Sequence, residues 1–223
     1  MIIGNGFLAK NLRYHNIDAL PLVVFASGVG NSSCDSVQEF EREVSLLIEK
    51  IALAKKLDQP VIYFSTIADT KLPYVMHKKN CEKIIHQSKI RHCIIRCPQL
   101  IGRYLNDYHL VGYFRHQILN HLKFQVFTKA ERNILDVECL ANFIKLWAAN
   151  PKYATVNLGG EKNIKVIELV ALIEQQVNIE ADYEGIESPL SVYIVEQSPS
   201  WKELEEFGLD RQAPYKELIS KYL

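Results

Sequence analysis

Tyr74 and Lys78 stand four residues apart in PYVMHKKNCE, nine residues after Ser65 in an apolar run that ends in Ser65-Thr66. On a helix that spacing puts both side chains on one face. An ammonium beside a phenol stabilises the phenolate, so the tyrosine gains the ability to give or take a proton near neutral pH. A nicotinamide-dependent enzyme needs such a group beside a sugar or alcohol carbon. A half-exposed helix carries the same pair by chance, so the chemistry depends on what the rest of the chain places around it.

The opening residues supply a second candidate. In MIIGNGFLA, the spacing of Gly4, Gly6 and Ala9 is that of a glycine-rich dinucleotide turn. Gly4 permits a tight turn out of a strand. Gly6 lets a pyrophosphate approach the backbone, with Phe7 and Leu8 supplying the next amides. Ala9 lets the following helix lie close to the strand, and the free N–H groups at that helix start attract phosphate. An ordinary strand–turn–helix fits the same letters, with only Met1 to Ile3 left for the strand.

Bulk properties narrow the classes. A chain of 223 residues that is 48% hydrophobic can build a real core in one compact unit. Twenty-six basic residues balance 26 acidic ones, which argues against nucleic acid as a partner, since phosphate backbones want a positive surface. The longest apolar runs, such as PLVVFA, fall far short of the roughly 20 residues that span a bilayer. No charged-then-apolar leader precedes the first motif, and the expected location is cytoplasmic. The cysteines are Cys34, Cys81, Cys93, Cys97 and Cys139, an odd number without a CxxC pair. Cys93 and Cys97, four apart on a strand, stand about 13 Å from each other and share no metal. Reduced thiols and no metal site are expected.

The elements that must position these residues alternate. Residues 20–28 (LPLVVFASG) read as a buried parallel strand, continuous in apolar residues. Residues 36–58 form an amphipathic helix with Phe40, Val44, Leu47, Ile48, Ile51 and Leu53 on its apolar face. QPVIYFSTIA is the next strand, LPYVMHKKNCEKIIHQSKI the next helix, and RHCIIRCPQLIG a strand that leaves the sheet at Pro98. This order gives a parallel, doubly wound sheet. Beyond residue 103 we read a helix over 110–122, an extended arm over 124–135 and a helix over 136–150. A strand at 154–160, a helix at 164–177 and two short tail helices separated by Gly208 and Pro214 complete the chain. The expected organisation is a single unit over 1–223. Residues 1–160 are mainly its dinucleotide-binding core, and 161–223 mainly a small, helical, substrate-side lobe.

The order of these pieces resembles the extended short-chain dehydrogenase/reductase superfamily, the NAD-dependent epimerases and dehydratases of nucleotide-activated sugars. GNGFLA resembles its cofactor turn, and VVFASG the strand whose end (Ala26, Ser27, Gly28) passes under the cofactor. YFSTIA resembles the strand bearing its catalytic serine or threonine, and YVMHK its tyrosine–lysine pair, with Glu82 where that helix commonly has a glutamate. IIRCPQLIGR, ILDVECLANFI and VNLGGEKNIKVIELVALI resemble the later segments in the same order. Two departures stand out. The family places two more strand–helix units where only KNLRYHNIDALP lies here, and they carry the residue that grips the adenosine ribose. Asp18 lies in that gap, although its spacing does not require it to reach a ribose. The loop from Thr66 to Tyr74 is also short. The resemblance therefore implies a Rossmann-like doubly wound parallel sheet, truncated on the side of the missing second and third strands.

The roles the resemblance implies are these. Tyr74 is the general acid/base at a sugar hydroxyl or keto oxygen, Lys78 holds the nicotinamide ribose and lowers the tyrosine pKa, and Thr66 or its neighbour Ser65 hydrogen-bonds the same oxygen. Arg96, Gln99, Arg103 and Lys162 are candidates for the substrate's diphosphate side, or ordinary surface residues. The implied cofactor is NAD or NADP, with NAD preferred, and the implied activity is that of an epimerase, dehydratase or reductase in surface polysaccharide synthesis. A degenerate member that binds a nucleotide or sugar nucleotide without turnover, or a structural partner in a biosynthetic complex, is the alternative. A quinone- or flavin-type reductase is disfavoured by the Tyr–Lys pair. His77 and His92 read as structural or solvated. In the resembling family the helices matching 36–57 and 74–89 pair across a two-fold axis, so a homodimer is expected, with Leu47 and Ile51 on its surface. The missing strands are expected to expose a competing edge near LPLVVFA.

Overall fold

The computed structural model describes residues 1–187 and 198–223. The chain alternates as β1 (Ile2–Ile3), α1 (Phe7–Tyr14), β2 (Val23–Phe25), α2 (Val37–Lys56), β3 (Val61–Thr66), α3 (Pro73–Ser88) and β4 (His92–Cys97). It continues through β5 (Gln99–Ile101), α4 (Leu110–Leu119), β6 (Phe124–Phe127), β7 (Glu131–Arg132), β8 (Ile134–Asp136), α5 (Val137–Ala149) and β9 (Ala154–Asn157). Then come β10 (Ile164–Lys165), α6 (Val166–Val177), β11 (Tyr183–Ile186), α7 (Trp201–Glu206) and α8 (Tyr215–Tyr222). Among the described residues no helix is long and apolar enough to cross a membrane.

The main sheet has the order β1-β2-β3-β4-β9, and every neighbouring pair is parallel. Its strands are apolar on both sides because both faces are covered. Val24, Ile62, Cys93 and Ile95 point into a core shared with Leu12 of α1 and Leu140 and Ile144 of α5. Val23, Phe25, Val61, Tyr63 and Ile94 point the other way, into a core with Leu47 and Ile51 of α2 and Cys81 and Ile85 of α3. This is a Rossmann-like, doubly wound sheet. Pro98 breaks the fourth strand as expected, and β5 turns away to pair with β8. A separate C-terminal lobe has its own core, drawn from α4, β6, α6 and α8 and including Phe114, Phe124, Leu169 and Leu218. Its strand β11 pairs with β6. Its residues come from 101–134 as well as from 164–219.

Two sequence expectations change here. Leu47 and Ile51 are 0% and 6% exposed and pack under their own sheet, so they are core residues rather than an outer surface. The outward apolar residues of α2 and α3 are Val37, Ile48 and Met76, each more than half exposed. The sheet edge opened by the short N-terminal region is β1, not the LPLVVFA strand, which lies between β1 and β3. In doubly wound sheets the second and third strands lie outside the first, so their loss uncovers the first.

That edge is closed chemically. The carbonyls of Met1 and Ile3 accept from Val24 on β2 and from Ala26 just after it, which leaves those of Ile2 and Gly4 facing outward. Arg13, on α1, donates from Nη2 to Ile2 O at 3.2 Å and to Gly4 O at 2.8 Å. One guanidinium thus occupies acceptors that a neighbouring strand would otherwise use. The Arg13→Ala variant is expected to lose about 1–2 kcal/mol of stability in urea unfolding and to self-associate in light scattering. An unchanged midpoint and mass would show that water satisfies this edge equally well.

Candidate functional site

The glycine turn is built as its spacing suggests. Gly4 has φ +118°, and a Cβ there would lie 2.4 Å from Ala26 O and 3.0 Å from Ser27 N, so backbone conformation and strand proximity both require glycine. Gly6 is the N-cap of α1, its side is open, and no side chain caps the first turn. Ala9 is fully buried, which lets α1 lie on the sheet. Phe7 is buried against the ring of His109 at 4.4 Å, and Leu8 is half-buried.

The ends of β2 and β3 meet α2 and α3 around one carboxylate that the sequence reading passed over. Glu43 is fully buried. Its Oε2 accepts from Val29 N at 2.6 Å and lies 3.0 Å from His77 Nε2. Its Oε1 accepts from Tyr63 Oη at 2.7 Å and from Lys78 Nζ at 2.9 Å. Burial alone would raise its pKa; the Lys78 ammonium, helped by the Val29 amide and the Tyr63 hydroxyl, outweighs that and holds it down to about 2. Gly28 lies directly over this pair: a Cβ there would be 2.6 Å from Lys78 Nζ and 2.7 Å from Glu43 Oε1. A detectable signal existed in the sequence. Glu43 occupies the buried stripe of α2, three residues after Phe40 and four before Leu47, where a charge needs a partner.

Tyr74 and Lys78 do share a face of α3. Lys78 Nζ lies 5.7 Å from the Tyr74 ring centre and 5.3 Å from that of Tyr63. The expectation that Lys78 lowers the Tyr74 pKa is not met in this state. Burial first, then the charge of Glu43 and that of Cys97, push the Tyr74 phenol up instead. Lys78 is neutralised by Glu43, so its field at the phenol is largely cancelled. Tyr74 therefore carries its proton at neutral pH in this arrangement.

Thr66 ends β3 in register with Cys97. Its hydroxyl accepts from Ala68 N at 3.1 Å. It lines a polar cleft of about 410 Å³ together with Asp69, Lys79, Glu82, Arg96 and Asn157. Ser65 is turned inward, donating to Glu82 Oε1 at 2.5 Å. Arg96 forks onto the same carboxylate at 2.9 and 2.5 Å. Of the two hydroxyls, then, Thr66 is the one at the cleft.

The remaining candidates scatter. Arg103 lies over the Tyr14 ring, 4.3 Å from its centre, and donates to its hydroxyl at 2.9 Å. Gln99 is half-buried on β5, beside β8. Lys162 is exposed, and its carbonyl accepts from Tyr215. Asp18 sits in the 3-10 turn Ile17–Ala19, close enough to the Met1 amine to act on it, at the end of β1 away from the glycine turn. His77, expected to be structural or solvated, is buried between Phe40, Glu43 and Cys81. Glu43, His77 and Cys81 have the donor types of a metal site, with donor atoms within 4.8 Å of one another. The Lys78 ammonium already neutralises that carboxylate, and burial pushes the Cys81 thiol up to about 11, so the set is a hydrogen-bonded network.

No protein-family model matches this chain, and no curated protein sequence matches it. Solved structures share its fold. The UDP-glucose 4-epimerase of Thermus thermophilus, in complex with NAD, aligns with a TM-score of 0.77 at 13% identity, over 96% of this chain and 80% of that one. RMD from Pseudomonas aeruginosa, complexed with NADPH, gives 0.79 at 15% identity, over 98% and 95%. The dTDP-glucose 4,6-dehydratase of Bacillus anthracis, in complex with NAD, gives 0.73 at 16% identity, over 98% and 77%. Likeness at these identities establishes a common fold.

Glu43→Ala leaves the Lys78 ammonium buried without its partner. We expect a loss of about 3–5 kcal/mol in urea unfolding at neutral pH. The folded-state pKa of Glu43 is depressed, so its contribution is present above the ordinary carboxylate value of 4.5 and fades as pH falls toward 2. The gap between parent and variant should therefore narrow between pH 5 and pH 2. A gap independent of pH would assign the loss to packing instead.

Proposed function

We propose that this chain is an NAD(P)-dependent epimerase, dehydratase or reductase of a nucleotide-activated sugar, working in surface polysaccharide synthesis as a member of the extended short-chain dehydrogenase/reductase group. The observation that carries the reading is the joint placement of a glycine-only turn at Gly4, packed on Ala26 and Ser27, and the Tyr74–Lys78 pair on the helix that follows the Thr66 strand. It gains support from the shared fold of enzymes solved with NAD or NADPH. The five free thiols fit a reducing, cytoplasmic setting.

The residues fit a dinucleotide on one half of its length. Gly4, Gly6, Phe7 and Leu8 would take the pyrophosphate on backbone amides, and Ala26, Ser27 and Gly28 would border the cofactor where β2 ends. On the adenosine side the sheet stops at β1, and Asp18 lies at the end of β1 away from the turn. Bound there, the nicotinamide would accept or return a hydride. Tyr74 would hand its proton to, or recover it from, a sugar oxygen that Thr66 also hydrogen-bonds. Lys78 would orient the cofactor ribose while Glu43 fixes the ammonium in place. Arg96 is held by Glu82, so it shapes the cleft more than it grips a diphosphate. On this reading residues 1–160 hold mainly the cofactor, and 161–223 contribute mainly the sugar side.

A second reading, a family relative that binds a nucleotide or sugar nucleotide without turnover, is favoured by the neutralised Lys78 and the open adenosine side. Titration calorimetry with NAD(H) and NADP(H) separates the outcomes. We expect binding weaker than in relatives with an adenosine clamp, with NAD preferred. Tyr74→Phe should keep that binding and cost about 10²- to 10⁴-fold in turnover of a nucleotide sugar. No binding of either cofactor at millimolar concentration would sink the enzymatic reading. Binding without turnover by the parent would favour the second.

We also propose a two-fold homodimer through α2 and α3, supported by the exposed Val37, Ile48 and Met76 on those helices. Ile48→Glu and Met76→Glu should each shift the mass in light scattering from dimer to monomer. A parent that is monomeric at micromolar concentration rules the dimer out.

A further inference from the structure

A second cluster of side chains lies away from the glycine turn, where the last turn of α3 meets the first residues of β4 and β9. His86 is exposed on α3, and His92, at the start of β4, is only 3% exposed. Their nitrogens approach closely, with His92 Nε2 3.2 Å from His86 Nδ1. The other nitrogen of each ring is also engaged. His92 Nδ1 lies 2.7 Å from the carbonyl of Ile90. A carbonyl only accepts, so that nitrogen carries the hydrogen and Nε2 carries the lone pair. His86 Nε2 lies 3.4 Å from Thr155 Oγ1. The ring of Tyr153 packs edge-on against His92 and holds its plane. Around the pair opens a cleft of about 390 Å³ lined by His86, Lys89, His92, Tyr153, Ala154 and Thr155.

We propose that His86 and His92 form a two-nitrogen binding site for a divalent transition-metal ion of the zinc, nickel or copper type. The geometry suits it. Two imidazole nitrogens bound to one tetrahedral ion at ~2.05 Å stand roughly 3.3 Å apart, close to the separation found. One proton must move. With the His86 hydrogen on Nδ1 the two rings hydrogen-bond each other. With it on Nε2, where it donates to the Thr155 hydroxyl, both facing nitrogens carry lone pairs. The Ile90 carbonyl and the Thr155 hydroxyl are then the outer partners that fix ring orientation and tautomer in histidine metal sites. Water in the open cleft completes the coordination. No carboxylate lines the cleft, so hard, oxygen-seeking magnesium and calcium are not accommodated. The bound ion would pin the end of α3 to the start of β4. This helix begins with the Tyr74–Lys78 pair, but the proposal does not depend on what that pair does.

The test uses the whole chain, freed of metal with a chelator. Titration calorimetry with zinc and with nickel should show one saturable equivalent, and thermal unfolding should shift upward with added metal. Magnesium should do neither. Copper(II) bound to the parent should give a two-nitrogen pattern by electron paramagnetic resonance. The exposed-site variant His86→Ala should remain folded by circular dichroism and lose that equivalent, the thermal shift and the two-nitrogen pattern. Thr155→Val should weaken binding without abolishing it. Equal binding by parent and His86→Ala, or no saturable binding by the parent up to about 1 mM, overturns the proposal.

Discussion

The architecture turns on a single buried carboxylate. Glu43 sits on α2, yet its partners come from the end of β2, from β3 and from α3. A carboxylate removed from water is costly unless its lone pairs are filled. Here both oxygens are filled, one by Tyr63 and Lys78, the other by Val29 and His77. Each partner is thereby drawn to a fixed point. The strand end at Gly28 can approach only because it lacks a side chain. Two helices on one face of the sheet are locked in rotation as well as in position. The apolar core beneath, around Leu47, Tyr63 and Ile85, fixes the distance between helix and sheet, while Glu43 fixes the angle and register.

The same contact shapes the chemistry available. A tyrosine–lysine pair works as a base when the ammonium is free to favour the phenolate. With the ammonium paired to Glu43, the phenol is pushed up and keeps its proton. Binding of an anion or a sugar hydroxyl near Lys78 would compete with Glu43 for the same hydrogens, so ligand and network are coupled through three N–H bonds of one lysine.

Much of the layout was readable from residue patterns, for identifiable reasons. Strands buried on both faces must be continuously apolar, and VVF, VIYF and CII are. Gly4 was legible because its backbone conformation excludes other residues. Pro98 was legible because it cannot continue a ladder. What escaped detection were properties of three-dimensional order. Leu47 and Ile51 share a stripe with Ile48 in sequence, but the sheet takes the first two and leaves the third outside. The uncovered edge depends on which strand borders which, and adjacency in the chain suggests the wrong one. Ser65 and Thr66 are chemically alike as neighbours; the alternation of a strand sends one hydroxyl to Glu82 and leaves the other at the cleft. Glu43 stood out as a charge on an apolar stripe, but its partners lay on elements 20 and 35 residues away.

The arginine over the first strand has an effect beyond closing an edge. A peptide unit is planar and trans, so its carbonyl and the next amide hydrogen point in opposite directions. Arg13 draws the Gly4 carbonyl outward, toward the helix. The Asn5 amide is thereby turned away from Arg13. A guanidinium on the far side of the loop thus sets the aim of a backbone dipole from behind.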